Sequence, residues 1–171
     1  MVKRTLGFGF PILAFAGLLG MQAKAQDVRF SMSETESCIA GVYAEYDPLI
    51  CIGNSAIRCI ETSGGGQTTA VQVDCFGREL EAWDQRLNRA YIRLMAREKA
   101  NDPVGSDTLR KMQRAWLGYV QARCNYASAP WVGGAGVGPD AQKCWMKMTG
   151  RQALFLEQKL QERELEYGKT E

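Results

Sequence analysis

Six cysteines and not one histidine constrain this chain more than any other feature. The cysteines are Cys38, Cys51, Cys59, Cys75, Cys124 and Cys144, and all lie downstream of a segment built for export. There Lys3 and Arg4 precede an apolar run from Leu6 to Leu19, and Ala23-Lys24-Ala25 follows. A charged start, an apolar core of about 7–15 residues and an A-x-A site make a secretory signal peptide, with cleavage expected after Ala25. Pro11 and Gly17 interrupt the run, which falls short of the ~20 residues of a bilayer span, and no cysteine sits at the cleavage point to take a lipid. The expected location is periplasmic or secreted, with no membrane anchor after cleavage. Thiols oxidise in those compartments, so three disulfides are expected. Metal binding is not expected, because the spacings contain no C-x-x-C pair and no histidine completes a common zinc set.

The missing histidine also removes the Ser-His-Asp and Cys-His catalytic pairs and the side chain that titrates near neutrality. Chemistry, if any, would rest on carboxylates, and no cofactor is expected. Without residues 1–25, which hold Lys3, Arg4 and Lys24 and no acid, the formal charge falls to −1. That is not the electrostatic footprint of a nucleic-acid binder. The acids are unevenly placed, and the segment from Gln26 to Asp74 carries a formal −5.

Periodicity predicts an all-α protein, a small disulfide-stapled bundle in which an antiparallel hairpin and a third helix follow a short, cysteine-rich helical N-terminal segment. The expected division is 1–25 signal peptide, 26–74 acidic segment, 75–165 three-helix domain and 166–171 frayed tail. In the acidic segment short helices are expected over Ser33–Ala44 and Pro48–Glu61, before a break at Ser63-Gly64-Gly65-Gly66. From Val71 to Lys99, Phe76, Leu80, Trp83, Leu87, Tyr91 and Leu94 recur at steps of three and four, which defines one helix face. Arg78, Arg86, Arg89, Arg93 and Arg97 lie opposite, and Asn101-Asp102-Pro103 ends the run. A second long helix, capped by Ser106 or Asp107, is expected to reach Cys124. After the glycine-rich stretch Ala129–Pro139 a third begins, with Pro139 and Asp140 in its first turn and Trp145, Met148, Gln152, Leu156 and Leu160 on one face. Its end beyond Gln161 is charged and expected to fray. Trp83, Trp116 and Trp145 should share a core.

In such a bundle Cys75, Cys124 and Cys144 fall at one end. That placement favours Cys124–Cys144 across the glycine loop and Cys59–Cys75 to tie the acidic segment down, leaving Cys38–Cys51, although six cysteines allow fifteen pairings.

Three features invite a functional reading. Gly133, Gly134 and Gly136 precede a helix start whose free amides could hold an anion, but no strand, Lys or Ser/Thr completes a phosphate loop, so a tight turn explains them better. Glu79, Glu81 and Asp84 could be read as a glycan-cleaving acid/base set, which needs two carboxyls about 5–10 Å apart in a cleft. Interleaved with Arg78 and Arg86, they fit solvated ion pairs better. Trp131, beside Pro130 in the glycine loop, lies on no periodic face and is a candidate partner contact.

The series Cys75, Trp83-Asp84-x-x-Leu87-Asn88-x-x-Tyr91, Gln113-Arg114-Ala115-Trp116, Cys124, a glycine-rich loop, Cys144 and Thr149 resembles the LprI-like lysozyme inhibitor family over roughly Asp74 to Leu160. The resemblance implies a small exported helical domain and inhibition of lysozyme in the cell envelope. It supplies no catalytic residue, and it implies fold-supporting roles for Trp83, Asp84, Leu87, Asn88, Tyr91, Arg114 and Trp116. One departure is that Tyr119 is followed by Val120-Gln121, where the family pattern places an Arg-Asp pair. The expected function is therefore a periplasmic inhibitor that uses Glu34, Glu36, Glu45 and Asp47 against a cationic lysozyme. The alternative is an envelope interaction module that presents Trp131 and the glycine loop to another protein.

Overall fold

The computed structural model describes residues 27–41, 47–131, 133–134 and 136–167. The expected signal peptide, the last residues of the first predicted helix and Glu45 lie outside the described residues. Every regular element among the described residues is helical: α1 (Ser33–Gly41), α2 (Asn54–Thr62), α3 (Thr69–Asn101), α4 (Pro103–Ser128) and α5 (Val137–Tyr167), with short 3-10 turns at Pro48–Cys51 and Ala129–Trp131. The disulfides are Cys38–Cys51, Cys59–Cys75 and Cys124–Cys144.

The long helices form an up-down-up bundle in which α3 and α5 run parallel and pack directly on each other, and α4 returns antiparallel alongside both. A ladder of ion pairs fixes the α3–α5 register. Arg86 donates two bonds to Glu157 at 2.9 and 2.7 Å, and Arg93 bonds Glu164 at 2.7 Å, one heptad further on both helices. Arg163 Nε reaches buried Glu98 at 2.9 Å, which carries α5 through the charged stretch beyond Gln161 to Tyr167. The hydrogen bond from Arg163 to Glu166 and the nearby Glu98 raise the guanidinium pKa above its usual value.

Three boundaries differ from expectation. The hairpin turn is shorter than predicted, since α4 starts at Pro103 and Asp102 alone separates it from α3. Because α4 starts at Pro103, whose missing amide suits the first helical position, Ser106 and Asp107 lie inside the helix and do not cap it, and Ser106 Oγ instead donates to the Pro103 carbonyl at 2.9 Å. The single helix expected over Pro48–Glu61 is broken at Ile52-Gly53, where Gly53 takes φ +106°. Helix α5 begins within the glycine stretch, at Val137.

The apolar face read from the sequence is inward. Phe76, Trp83, Leu87 and Leu94 are buried, and Leu80 and Tyr91 pack at its edge. The tryptophans divide between two clusters rather than sharing one core. Trp83 belongs to the main cluster, Trp145 packs on a smaller one made by Val120, Cys124 and Met148, and half-buried Trp116 touches both. Helix α5 approaches Trp83 closely because residue 150 is glycine: a Cβ there would lie 2.9 Å from Ile52 Cγ2 and 3.0 Å from Trp83 Cε2. Gly150→Ala gains at most ~1 kcal/mol of helix propensity against ~1–3 kcal/mol of overpacking. The expected result is a net loss of about 1 kcal/mol in a urea titration, and equal or greater stability would show that the contact yields.

Candidate partner-binding surfaces

The acidic segment docks on α3 around one buried carboxylate. Glu79 lies on the inward face, three residues after Phe76 and four before Trp83, and is fully buried. Its Oε1 accepts from Gly53 N–H at 2.8 Å, Trp83 Nε1–H at 3.0 Å and Thr35 Oγ1–H at 3.1 Å, while Oε2 accepts from Ala56 N–H at 2.7 Å. Two of those donors are amides at the start of α2, where the helix dipole favours an anion. The starts of α1 and α2 also tie each other: Thr35 N–H donates to Ser55 Oγ and Ser55 N–H to Thr35 Oγ1, each at 3.0 Å. Glu79 is thus neither an exposed ion pair nor a catalytic acid. A carboxylate sealed from solvent and filled by protein donors cannot reach a glycan. Asp84, the other end of the conjectured pair, is exposed and accepts from Asn88 Nδ2 at 2.9 Å.

The acidic segment is less uniformly negative than its sequence suggests. Asp27 pairs with Arg29 at 3.0 Å, Glu61 with Arg58 at 3.8 Å and Asp74 with Arg78 at 3.0 Å. Asp47 is held as the cap of the Pro48–Cys51 turn, accepting from Leu49 N–H at 2.9 Å. Glu34 and Glu36 are exposed in the first turn of α1, and Glu34 shares a shallow groove with Arg29 and Arg58.

In the glycine loop Gly133 has φ +85°, and Gly133 and Gly134 are exposed. Gly136 stands just before α5, and its carbonyl accepts from Asp140 N–H at 3.2 Å. The side chain of Trp131 lies outside the described residues, so the structure does not place it against the loop.

The motif residues separate into two groups. Trp83 and Leu87 are core, whereas Asp84, Asn88 and Arg114 are exposed. Together with half-buried Tyr91 and Trp116 they line a groove of about 420 Å³ between α3 and α4. Arg110 and Gln113 complete its polar wall. Mixed charge, two aromatic faces and two side-chain amides suit recognition of a protein surface, where Tyr, Trp and Arg are the usual anchors. Sequence reading placed these positions together but assigned all of them to the fold. The signal that separates them is their register, since Asp84 and Asn88 each follow a buried residue by one step and so turn away from the core.

Against known families, the chain matches the model described as "Lysozyme inhibitor LprI" over residues 59–156. The match starts in α2 and ends within α5, so it contains the α3–α4 groove and excludes Glu34, Glu36, Glu45 and Asp47. No curated protein and no solved structure matches the chain significantly.

Proposed function

We propose, on the premise that this chain belongs to the LprI lysozyme inhibitor family, that it is an exported, non-enzymatic binder of a cationic lysozyme that keeps that enzyme from its glycan substrate. The family match over residues 59–156 carries the reading. Three disulfides suit an oxidising compartment outside the cytoplasm, and no helix among the described residues is long and apolar enough to cross a membrane.

The proposed contact has two parts. The groove lined by Asp84, Asn88, Tyr91, Arg114 and Trp116 is the docking surface, because it lies within the family match and its polar residues are not needed by the core. Glu34 and Glu36, with Glu45 and Asp47 beside them in sequence, attract the cationic enzyme and raise the association rate.

Two variants separate the parts. Glu34→Lys/Glu36→Lys is expected to slow association several-fold at low salt, with the difference fading as salt is raised. Asp84→Arg/Asn88→Arg is expected to weaken inhibition about tenfold or more through faster dissociation. The readout is surface-immobilised lysozyme with association and dissociation followed separately. Wild-type kinetics in both variants would contradict the assignment of the contact.

A further inference from the structure

Beyond the acidic segment and the α3–α4 groove, the described surface carries two cationic rows: the arginines of α3, of which Arg86 and Arg93 are paired with acids of α5, and a second row without such pairs. On the outer face of α5, Lys143, Lys147 and Arg151 follow one another at intervals of four residues. A four-residue step on a helix advances about 6 Å, so the three cations form a row about 12 Å long. Arg123 of α4 faces them across an open groove of about 360 Å³, and Asp140 is the single acid in its lining. Among the described residues none of these four cations takes part in an ion pair, in contrast with the paired arginines of the α3–α5 seam. Two are nevertheless positioned. Arg123 donates to the Tyr119 hydroxyl at 2.8 Å, and Lys143 lies 5.9 Å from the centre of the Phe76 ring. The floor includes Cys144, whose bridge to Cys124 ties the two walls together.

Four cations brought together without carboxylate partners repel one another, and a bound anion relieves that repulsion. Cations on both walls favour a ligand that enters the groove, whereas a flat anionic bilayer would meet only its rim. A row with regular spacing favours a ligand with repeating charge over one isolated phosphate. We propose that this α4–α5 groove binds linear inorganic polyphosphate, along the row from Lys143 to Arg151 with Arg123 closing on its other side. This site is independent of the lysozyme reading. A cationic enzyme is repelled from it, so the two ligands occupy different surfaces.

The test is calorimetric titration of the exported, oxidised protein with linear polyphosphate some tens of units long, at physiological salt. Orthophosphate and phosphatidylglycerol vesicles are titrated in parallel. Polyphosphate is expected to bind, with log K falling against log salt at a slope of about −3, as for three or four released counterions. Lys147→Glu/Arg151→Glu is expected to weaken binding about tenfold or more, whereas Arg89→Glu/Arg97→Glu on α3, with the same change in net charge, should leave it within about twofold of wild type. Unchanged thermal melting and the absence of free thiols establish that the reversed variant is folded. Should it fail that check, the neutral Lys143→Gln/Lys147→Gln variant replaces it, with a loss of a few-fold expected. No polyphosphate binding, equal loss in the groove and α3 variants, equally tight orthophosphate binding, or binding to vesicles alone would each overturn the proposal.

Discussion

Glu79→Ala should cost the fold about 3–5 kcal/mol, the largest effect expected of any substitution at a polar position. The carboxylate fills four donors drawn from three places in the chain: the hydroxyl of Thr35, the amides of Gly53 and Ala56, and the indole of Trp83. Alanine leaves all four inside the protein without an acceptor and opens a cavity where a buried side chain stood. Because two of those donors are amides at the start of α2, Gly53 just before it and Ala56 in its first turn, the acidic segment should loosen from α3 before the long helices unfold. Glu79→Gln tests the same point without a cavity. Its amide nitrogen would meet a donor where Oε2 now accepts from Ala56, so an intermediate loss of about 2–3 kcal/mol is expected. Urea denaturation monitored by tryptophan fluorescence measures both. A loss under about 1 kcal/mol for the alanine variant would mean that water reaches the site and serves the donors.

Removing the Cys59–Cys75 bridge as Cys59→Ala/Cys75→Ala should cost about 2–4 kcal/mol, the range for a loop of this length. The bridge closes a sequence separation of 16 residues between the end of α2 and the start of α3. Across that gap run Gly64, Gly65 and Gly66, all exposed and conformationally costly to order. Small helices such as α1 and α2 bury little apolar area of their own, so a cross-link takes over part of the work of a core. Without it, protease cleavage in the Ser63–Gly66 connection should accelerate well ahead of cleavage in α3 or α5. Limited proteolysis with mass analysis reads this directly. Cleavage at the wild-type rate would show that the Glu79 network alone holds the segment.

Much of the scaffold was legible because it rests on local rules. Steps of three and four placed Phe76, Trp83, Leu87 and Leu94 on the buried face of α3. Helix direction pointed to Cys124–Cys144, since an up-down-up path brings the start of α3, the end of α4 and the start of α5 to one end, whereas the partners of Cys38, Cys51 and Cys59 were not fixed by it. What the sequence hid was long-range. Glu79 sits on that same apolar face by register, but its partners Thr35 and Gly53 are 44 and 26 residues away, and an acid among apolar residues reads equally well as an ion pair with a neighbouring arginine. Pro103 has the sequence signature of a helix terminator yet is the first residue of α4, because Asp102 alone makes the turn. Asp84 and Asn88 looked like fold residues beside Trp83 and Leu87, and only the register of α3 against α4 turns them into a groove. The formal charge of the acidic segment already counts Arg29 and Arg58, and what it misses is the pairing of Asp74 with Arg78 of α3.

The proposed inhibition is tested most directly by the clearing of a bacterial cell-wall suspension by a cationic lysozyme, with and without a molar excess of this protein in its oxidised form, at low and at physiological salt. Specific docking through the α3–α4 groove predicts slower clearing at both salts, with the effect largely lost in Asp84→Arg/Asn88→Arg. Inhibition confined to low salt would reduce the interaction to non-specific charge attraction, and clearing at the uninhibited rate in both conditions would contradict the lysozyme-inhibitor reading outright.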